Sequence, residues 1–329
     1  MSSPSISFQS VLYALQEKGR DFPRRYLQQF SDIGSLELKT LLEVWPRVNS
    51  SRKLSLLEGL ETLAETDTLV SFDDFARALL TDPDAPVRTH AIRLLGECED
   101  AKLIPAYLHM LKNDPDGRVR AEAAAALNLF VDLGELEELP EKDLRQVEEA
   151  LLSSANGEED VRVRRSALES LGYSSRPEVV TLIESAFQRE DPAWQASALV
   201  AMGRSADERW AGEVTGSLLN ENDIVRRAAV QAAGELSLKS ARPVLLRMLE
   251  EEEEDEVLGA VIWSLSQIGG EDVRMYLENL LDQTDDNEQT AFIEKALDNL
   301  AFTEDLDRFD LMTFDPEEVG LEDEEEDER

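Results

Sequence analysis

The sequence is poor in the residues that carry most protein chemistry. It holds one cysteine, Cys98, and two histidines, His90 and His109. A lone cysteine cannot close an internal disulfide, and a zinc site needs more soft ligands. That usage suits a reducing compartment. Neither histidine has a partner at metal-ligand spacing. There is no Gly-rich phosphate loop, no G-x-S-x-G elbow and no Cys/His constellation. The 16 glycines and 12 prolines in 329 residues are too few for a collagen-like or linker-rich chain. No stretch approaches the ~18 uncharged apolar residues of a membrane span. The opening residues MSSPSISFQSVLYALQEKGRDFPRR lack the basic-then-apolar order of a signal peptide. These absences predict a cytoplasmic protein with no catalytic residues, no metal site and no cofactor.

Basic residues are scarce as well. The 33 Lys and Arg stand against 71 Asp and Glu, a formal net charge of −38. The excess is uneven: residues 1–66 hold eight of each sign, and residues 315–329 hold ten acids against one Arg. Phosphate backbones and anionic membranes attract Lys and Arg, so direct nucleic-acid and membrane partners are not expected. A basic protein partner is the complementary expectation, beside the plain role of charge in keeping an extended surface soluble.

What is present is a repeat. DAPVRTHAIRLLG from Asp84, DGRVRAEAAAALN from Asp116, DVRVRRSALESLG from Asp160 and DPAWQASALVAMG from Asp191 align at once. NDIVRRAAVQAAG from Asn222 follows the same plan, and weaker copies begin at Glu254 and Asp286. The anchor position holds Val87, Val119, Val163, Trp194, Val225, Val257 and Gln289, spaced 32, 44, 31, 31, 32 and 32 residues apart. The long spacing contains the insertion GELEELPEKD. A degenerate earlier copy falls at Leu54–Leu63. Anchor, anchor+4 and anchor+8 share one helical face, and the middle position is small at Ala91, Ala123, Ala167, Ala198 and Ala229. The Asp three residues before the anchor reads as a helix N-cap. Shorter helices between these copies complete a helix–turn–helix unit, marginal alone and stable when stacked. The expected fold is all-α, a right-handed α-solenoid of about seven to eight helical hairpins. Residues 1–66 would form a helical cap and degenerate first repeat, 67–302 the array and 303–329 an acidic, largely disordered tail.

D-x-x-V-R-x-x-A-x-x-x-L-G at a period near 31 resembles the short bacterial HEAT-like repeats, of the type also found in phycobilisome lyases. The resemblance covers roughly Phe72–Phe302. It implies an armadillo-like interaction scaffold, with chromophore handling by a lyase or chaperone as the alternative. Some HEAT-like proteins are di-iron hydroxylases built on repeated His-Glu pairs, but Ala91 and Met110 follow the two histidines here. An acidic mimic of nucleic acid is a third reading of the charge.

The Arg after the anchor recurs as Arg88, Arg120, Arg164 and Arg226. Matched by Asp84, Asp116, Asp160 and Asp223, these predict a structural Asp/Arg ladder in which each Arg pairs with the capping Asp of its own or a neighbouring repeat. Past Phe302, the residues Phe309, Leu311, Met312 and Phe314 are candidates either to dock back over the last repeat or to bind a partner.

Overall fold

The computed structural model describes residues 7–17, 22–157 and 160–311, except the side chains of Glu271 and of residues 306–311. Among these residues every regular element is a helix. The chain divides into two compact units, Met1–Ser205 and Ala206–Arg329. The first contains α1 (Phe8–Gln16), a 3₁₀ segment (Arg24–Phe30), α2 (Ser35–Val44), α3 (Ser50–Thr66), α4 (Asp73–Leu79), α5 (Ala85–Leu94), α6 (Ile104–Asn113), α7 (Gly117–Ala126), α8 (Asn128–Glu135), α9 (Glu141–Asn156), α10 (Val161–Ser170), α11 (Pro177–Phe187) and α12 (Pro192–Arg204). The second contains α13 (Ala211–Ser217), α14 (Asp223–Glu235), α15 (Arg242–Glu251), α16 (Asp255–Ile268), α17 (Glu271–Gln283) and α18 (Asn287–Leu311).

The hairpins are α4/α5, α6/α7, α9/α10 and α11/α12 in the first unit, and α13/α14, α15/α16 and α17/α18 in the second. The second helix of each hairpin packs on that of the next: α3 on α5, α5 on α7, α7 on α10 and α10 on α12. In the other unit α14 packs on α16 and α16 on α18. Each unit is thus an all-α solenoid stack. The anchors explain the stacking, because Val87, Val119, Val163, Val225 and Val257 are buried, as are the small residues Ala91, Ala123, Ala167, Ala198 and Ala229. These alanines let successive helices approach closely. Gln289 is the exception. It is exposed in the first turn of α18, and that helix buries Ile293, Ala296 and Leu300 instead. An amide side chain there loses nothing by staying in water. The insertion is absorbed by an extra helix, α8, and by the lengthened α9. The last helix continues past Phe302 to Leu311.

The caps follow one geometry. Asp116, Asp160 and Asp191 accept from the backbone amides of Arg118, Arg162 and Ala193, two residues on, at 2.8–2.9 Å. Asp84 occupies the same position without that bond. Two residues on is Pro86, which has no N–H to donate. The Asp84 carboxylate accepts from Ser50 Oγ at 2.7 Å instead.

One buried acid departs from the pattern. Glu148 on α9 is 5% exposed and accepts from Ser174 Oγ. Burial raises its pKa above the usual carboxylate value, and neighbouring Glu135 and Glu178 push the same way, against Ser174 and Arg176. A folded-state pKa above the unfolded one means the native state holds the proton more tightly. The stability this group contributes is present below the unfolded pKa and is lost as pH rises through the folded pKa. Glu148→Gln is expected to raise the melting temperature at about pH 7 and leave it unchanged at about pH 4. Equal melting temperatures at both would contradict this.

Candidate interaction surface

The recurring arginines do not choose the capping aspartates. Arg88 donates through Nε and Nη2 to Asp114 at 2.8 and 2.7 Å, and through Nη1 to the Asp82 carbonyl at 2.8 Å. Arg226 repeats the arrangement. Its Nε and Nη2 reach Glu252 at 2.7 and 2.9 Å, and its Nη1 reaches the Asn220 carbonyl at 2.8 Å. Both acids lie 26 residues after the Arg and two residues before the next cap. Each also closes a turn, Asp114 by accepting from Asp116 N and Glu252 from Glu254 N. The pairing therefore differs from the expected ladder: the carboxylate that meets the Arg stands two residues before the cap, and the cap after Asp114, Asp116, is committed to the amide and guanidinium of Arg118. Arg120 Nη1 takes the Asp114 carbonyl at 2.8 Å. Arg164 Nε takes the Ala155 carbonyl at 3.1 Å, with its guanidinium 5.3 Å from the Trp194 ring centre. Of the predicted acids, Asp116 and Asp160 chelate Arg118 and Arg162, and Asp223 is the first residue of α14 behind the cap Asn222.

The same link occurs once more with a lysine. Lys53 Nζ meets Asp82 Oδ2 at 3.1 Å, Trp45 Nε1 donates to that oxygen at 2.7 Å, and Asp82 Oδ1 accepts from Asp84 N at 2.9 Å. Lys53 and Asp82 are both buried. The missed signal was an acid or amide two residues before the cap, at Asp82, Asp114, Asn220 and Glu252. It is hard to see in a chain with 71 acids.

Candidate chemistry stays dispersed. Burial pushes the Cys98 thiol pKa up, opposite to the shift that activates a nucleophile, and its Sγ accepts from Arg77 at 3.1 Å. His90 Nδ1 lies 2.8 Å from Glu61, and His109 bonds Asn113. Among the described residues no cluster of His, Cys, Asp and Glu is placed to hold a metal, and no helix is long and apolar enough to cross a membrane. Trp45, Trp194 and Trp210 are buried.

The acidic run at residues 250–256 sorts into one member whose side chain turns inward and several exposed members. Glu252 is turned in to Arg226, whose guanidinium lowers its pKa. Glu253, Glu254, Asp255 and Glu256 are exposed. Together with Asp223 and the exposed Ile224 they line a groove of about 360 Å³ at the start of α14 and α16, where Arg227 pairs with Glu256. Of the tail candidates, Phe309 and Leu311 fall in α18, with side chains outside the description. Met312 and Phe314 lie outside the described residues.

A sequence model of HEAT repeats matches residues 72–156 and 212–297, just over half of the chain. The chain belongs to the HEAT-repeat family. No curated protein matches it. Among solved structures, this HEAT-repeat chain is similar to YibA of Escherichia coli at 19% identity and a TM-score of 0.41, covering 87% of this chain and 99% of that one. It is similar to human deoxyhypusine hydroxylase at 16% identity and a TM-score of 0.34, covering 79% and 95%. It is also similar to importin beta at 12% identity and a TM-score of 0.42, covering 89% of this chain and 44% of that one.

Proposed function

We propose that this HEAT-repeat protein is a non-catalytic, cytoplasmic interaction scaffold that binds a basic protein partner. The observation that carries the reading is the sorting of the acidic run. Its one inward-turned member, Glu252, serves the fold, while Glu253 to Glu256, with Asp223, stay solvated around an exposed Ile224. Structural acids would be paired inward as Glu252 is. Repeat stacks present broad surfaces of this kind, and their neighbour-only packing lets a surface change without disturbing the rest. Lysines and arginines of a partner would be steered by the negative field and held at several points around the apolar Ile224, with charge contributing more to encounter rate than to affinity.

The test is capture of partners from lysate by the full chain and by a variant carrying Glu253→Lys, Glu254→Lys, Asp255→Lys and Glu256→Lys, leaving Glu252 intact. The expected result is a partner retained by the parent chain and lost from the variant, with its association rate reduced about tenfold or more. Equal capture by both would remove the acidic groove from the function. A third chain ending at Leu311 keeps α18 whole and asks whether Met312, Phe314 and the acidic residues after them contribute.

A further inference from the structure

The first unit carries a second groove, of about 330 Å³, in which Arg93, Arg118, Arg162 and Arg165 gather on α5, α7 and α10 with Glu122 and Glu169. The sequence puts them there. They stand at anchor+6, anchor−1 and anchor+2 of their repeats, on the helical face away from the buried anchor and anchor+4. Four guanidiniums meeting across three successive helices are unexpected in a chain of net charge −38.

Their existing partners are weak ones. Arg118 and Arg162 are chelated by the caps of their own helices, Asp116 and Asp160, through Nε and Nη2. Both arginine side chains remain about half exposed or more, at 63% and 49%. Arg93 meets Glu122 at 3.0 Å and is also 49% exposed. Solvated pairs of this kind contribute little to stability. A guanidinium has five N–H donors, so a two-point chelate leaves capacity for a further carboxylate. Arg165 is the least satisfied of the four. Its Nε is buried without an acceptor, and its Nη1 has only a 3.4 Å contact to the Ala193 carbonyl. Glu169 is turned to Ser197 Oγ at 2.5 Å, which leaves its neighbour Arg165 unchelated by it. A buried donor without an acceptor is a standing cost to the fold.

We infer that this arginine groove on α5, α7 and α10 binds a short, extended acidic segment of a protein partner through its carboxylates. Neighbouring helices lie ~8–10 Å apart, so an extended chain crossing three of them needs about six residues. Alternate side chains of such a segment point to one side and recur at ~6.8 Å, close enough to meet successive guanidiniums. The planar fork of arginine suits side-on carboxylates.

The experiment is fluorescence anisotropy of labelled hexaglutamate against the full chain, beside labelled hexalysine. The variants are Arg118→Glu/Arg162→Glu, the milder Arg118→Ala/Arg162→Ala, and Arg145→Glu on α9 as a charge control. Circular dichroism checks that each is folded. Hexaglutamate is expected to bind the parent chain and the Arg145→Glu control alike, and to bind both double variants about tenfold more weakly or worse. Hexalysine binding should not weaken in those double variants. No binding of hexaglutamate to the parent chain, or equal binding by the double variants, would overturn the inference. So would displacement of hexaglutamate by inorganic phosphate at equal charge, which would make the groove a phosphate site. Failure of hexalysine alone would count against the acidic groove of the second unit and leave this one standing.

Discussion

Replacing Asp82 by alanine is expected to lower the unfolding free energy by about 3–5 kcal/mol, the cost of breaking a buried ion pair from one side. Asp82 and Lys53 are 3% and 6% exposed at their side chains, so an unpaired ammonium has no route to water. The carboxylate does more than balance charge. It accepts from Trp45 Nε1 at 2.7 Å and from the Asp84 amide at 2.9 Å, tying the indole, α3 and the turn before α5 to one side chain. Lys53 also lies 4.9 Å from the Trp45 ring centre. Alanine orphans three donors at once. Asparagine keeps one acceptor oxygen, enough for Trp45 or for the turn but not for both, and removes the charge, so Asp82→Asn should fall between parent and alanine variant. Urea unfolding followed by circular dichroism measures this. A loss below about 1 kcal/mol for Asp82→Ala, the range of exposed pairs, would show that the cluster is hydrated.

The second large effect is steric. A Cβ at Gly172 would sit 2.8 Å from both the Cα and the carbonyl oxygen of Ala201. Those are backbone atoms of α12, which cannot swing aside as a side chain can. Gly172→Val is therefore expected to cost about 3 kcal/mol, the upper part of the range for overpacking, by prising α12 from the segment after α10. Gly212 in α13 provides the contrast, because nothing lies within 4 Å of a Cβ built there. Gly212→Ala should stabilise by about 0.5–1 kcal/mol, through backbone entropy and helix propensity. The same urea titrations compare the two. A Gly172→Val variant as stable as its parent would mean that the contact is not close in solution.

These two sites show what the sequence could and could not reveal. Repeat spacing exposes anything that recurs in a fixed chemical type. The buried valines at 87, 119, 163, 225 and 257, the small residues four positions later and the caps at Asp116, Asp160 and Asp191 were all legible, because burial and helix ends tolerate few alternatives. Gly172 closes the repeat copy DVRVRRSALESLG, but nothing in that position names its neighbour in α12. The acid that receives each Arg was not legible. It appears as Asp at 82 and 114 and as Glu at 252, its basic partner is Lys once and Arg twice, and exposed acids surround it. Only the folded chain separates Glu252, turned in to Arg226, from Glu253 beside it. The cap at Asp84 failed for a local reason written in the sequence, the proline two residues on. The arginine groove was hidden because its members come from different repeat positions and meet only when α5, α7 and α10 stack.

On the proposed function, the solvated acids at the start of α14 and α16 hold a basic partner. Hydrogen exchange of the full chain, with and without its captured partner, tests this most directly. Added protection is expected in residues 221–228 and 252–260, and its loss in the four-lysine variant. Protection confined to other helices, or unchanged by that variant, would contradict it.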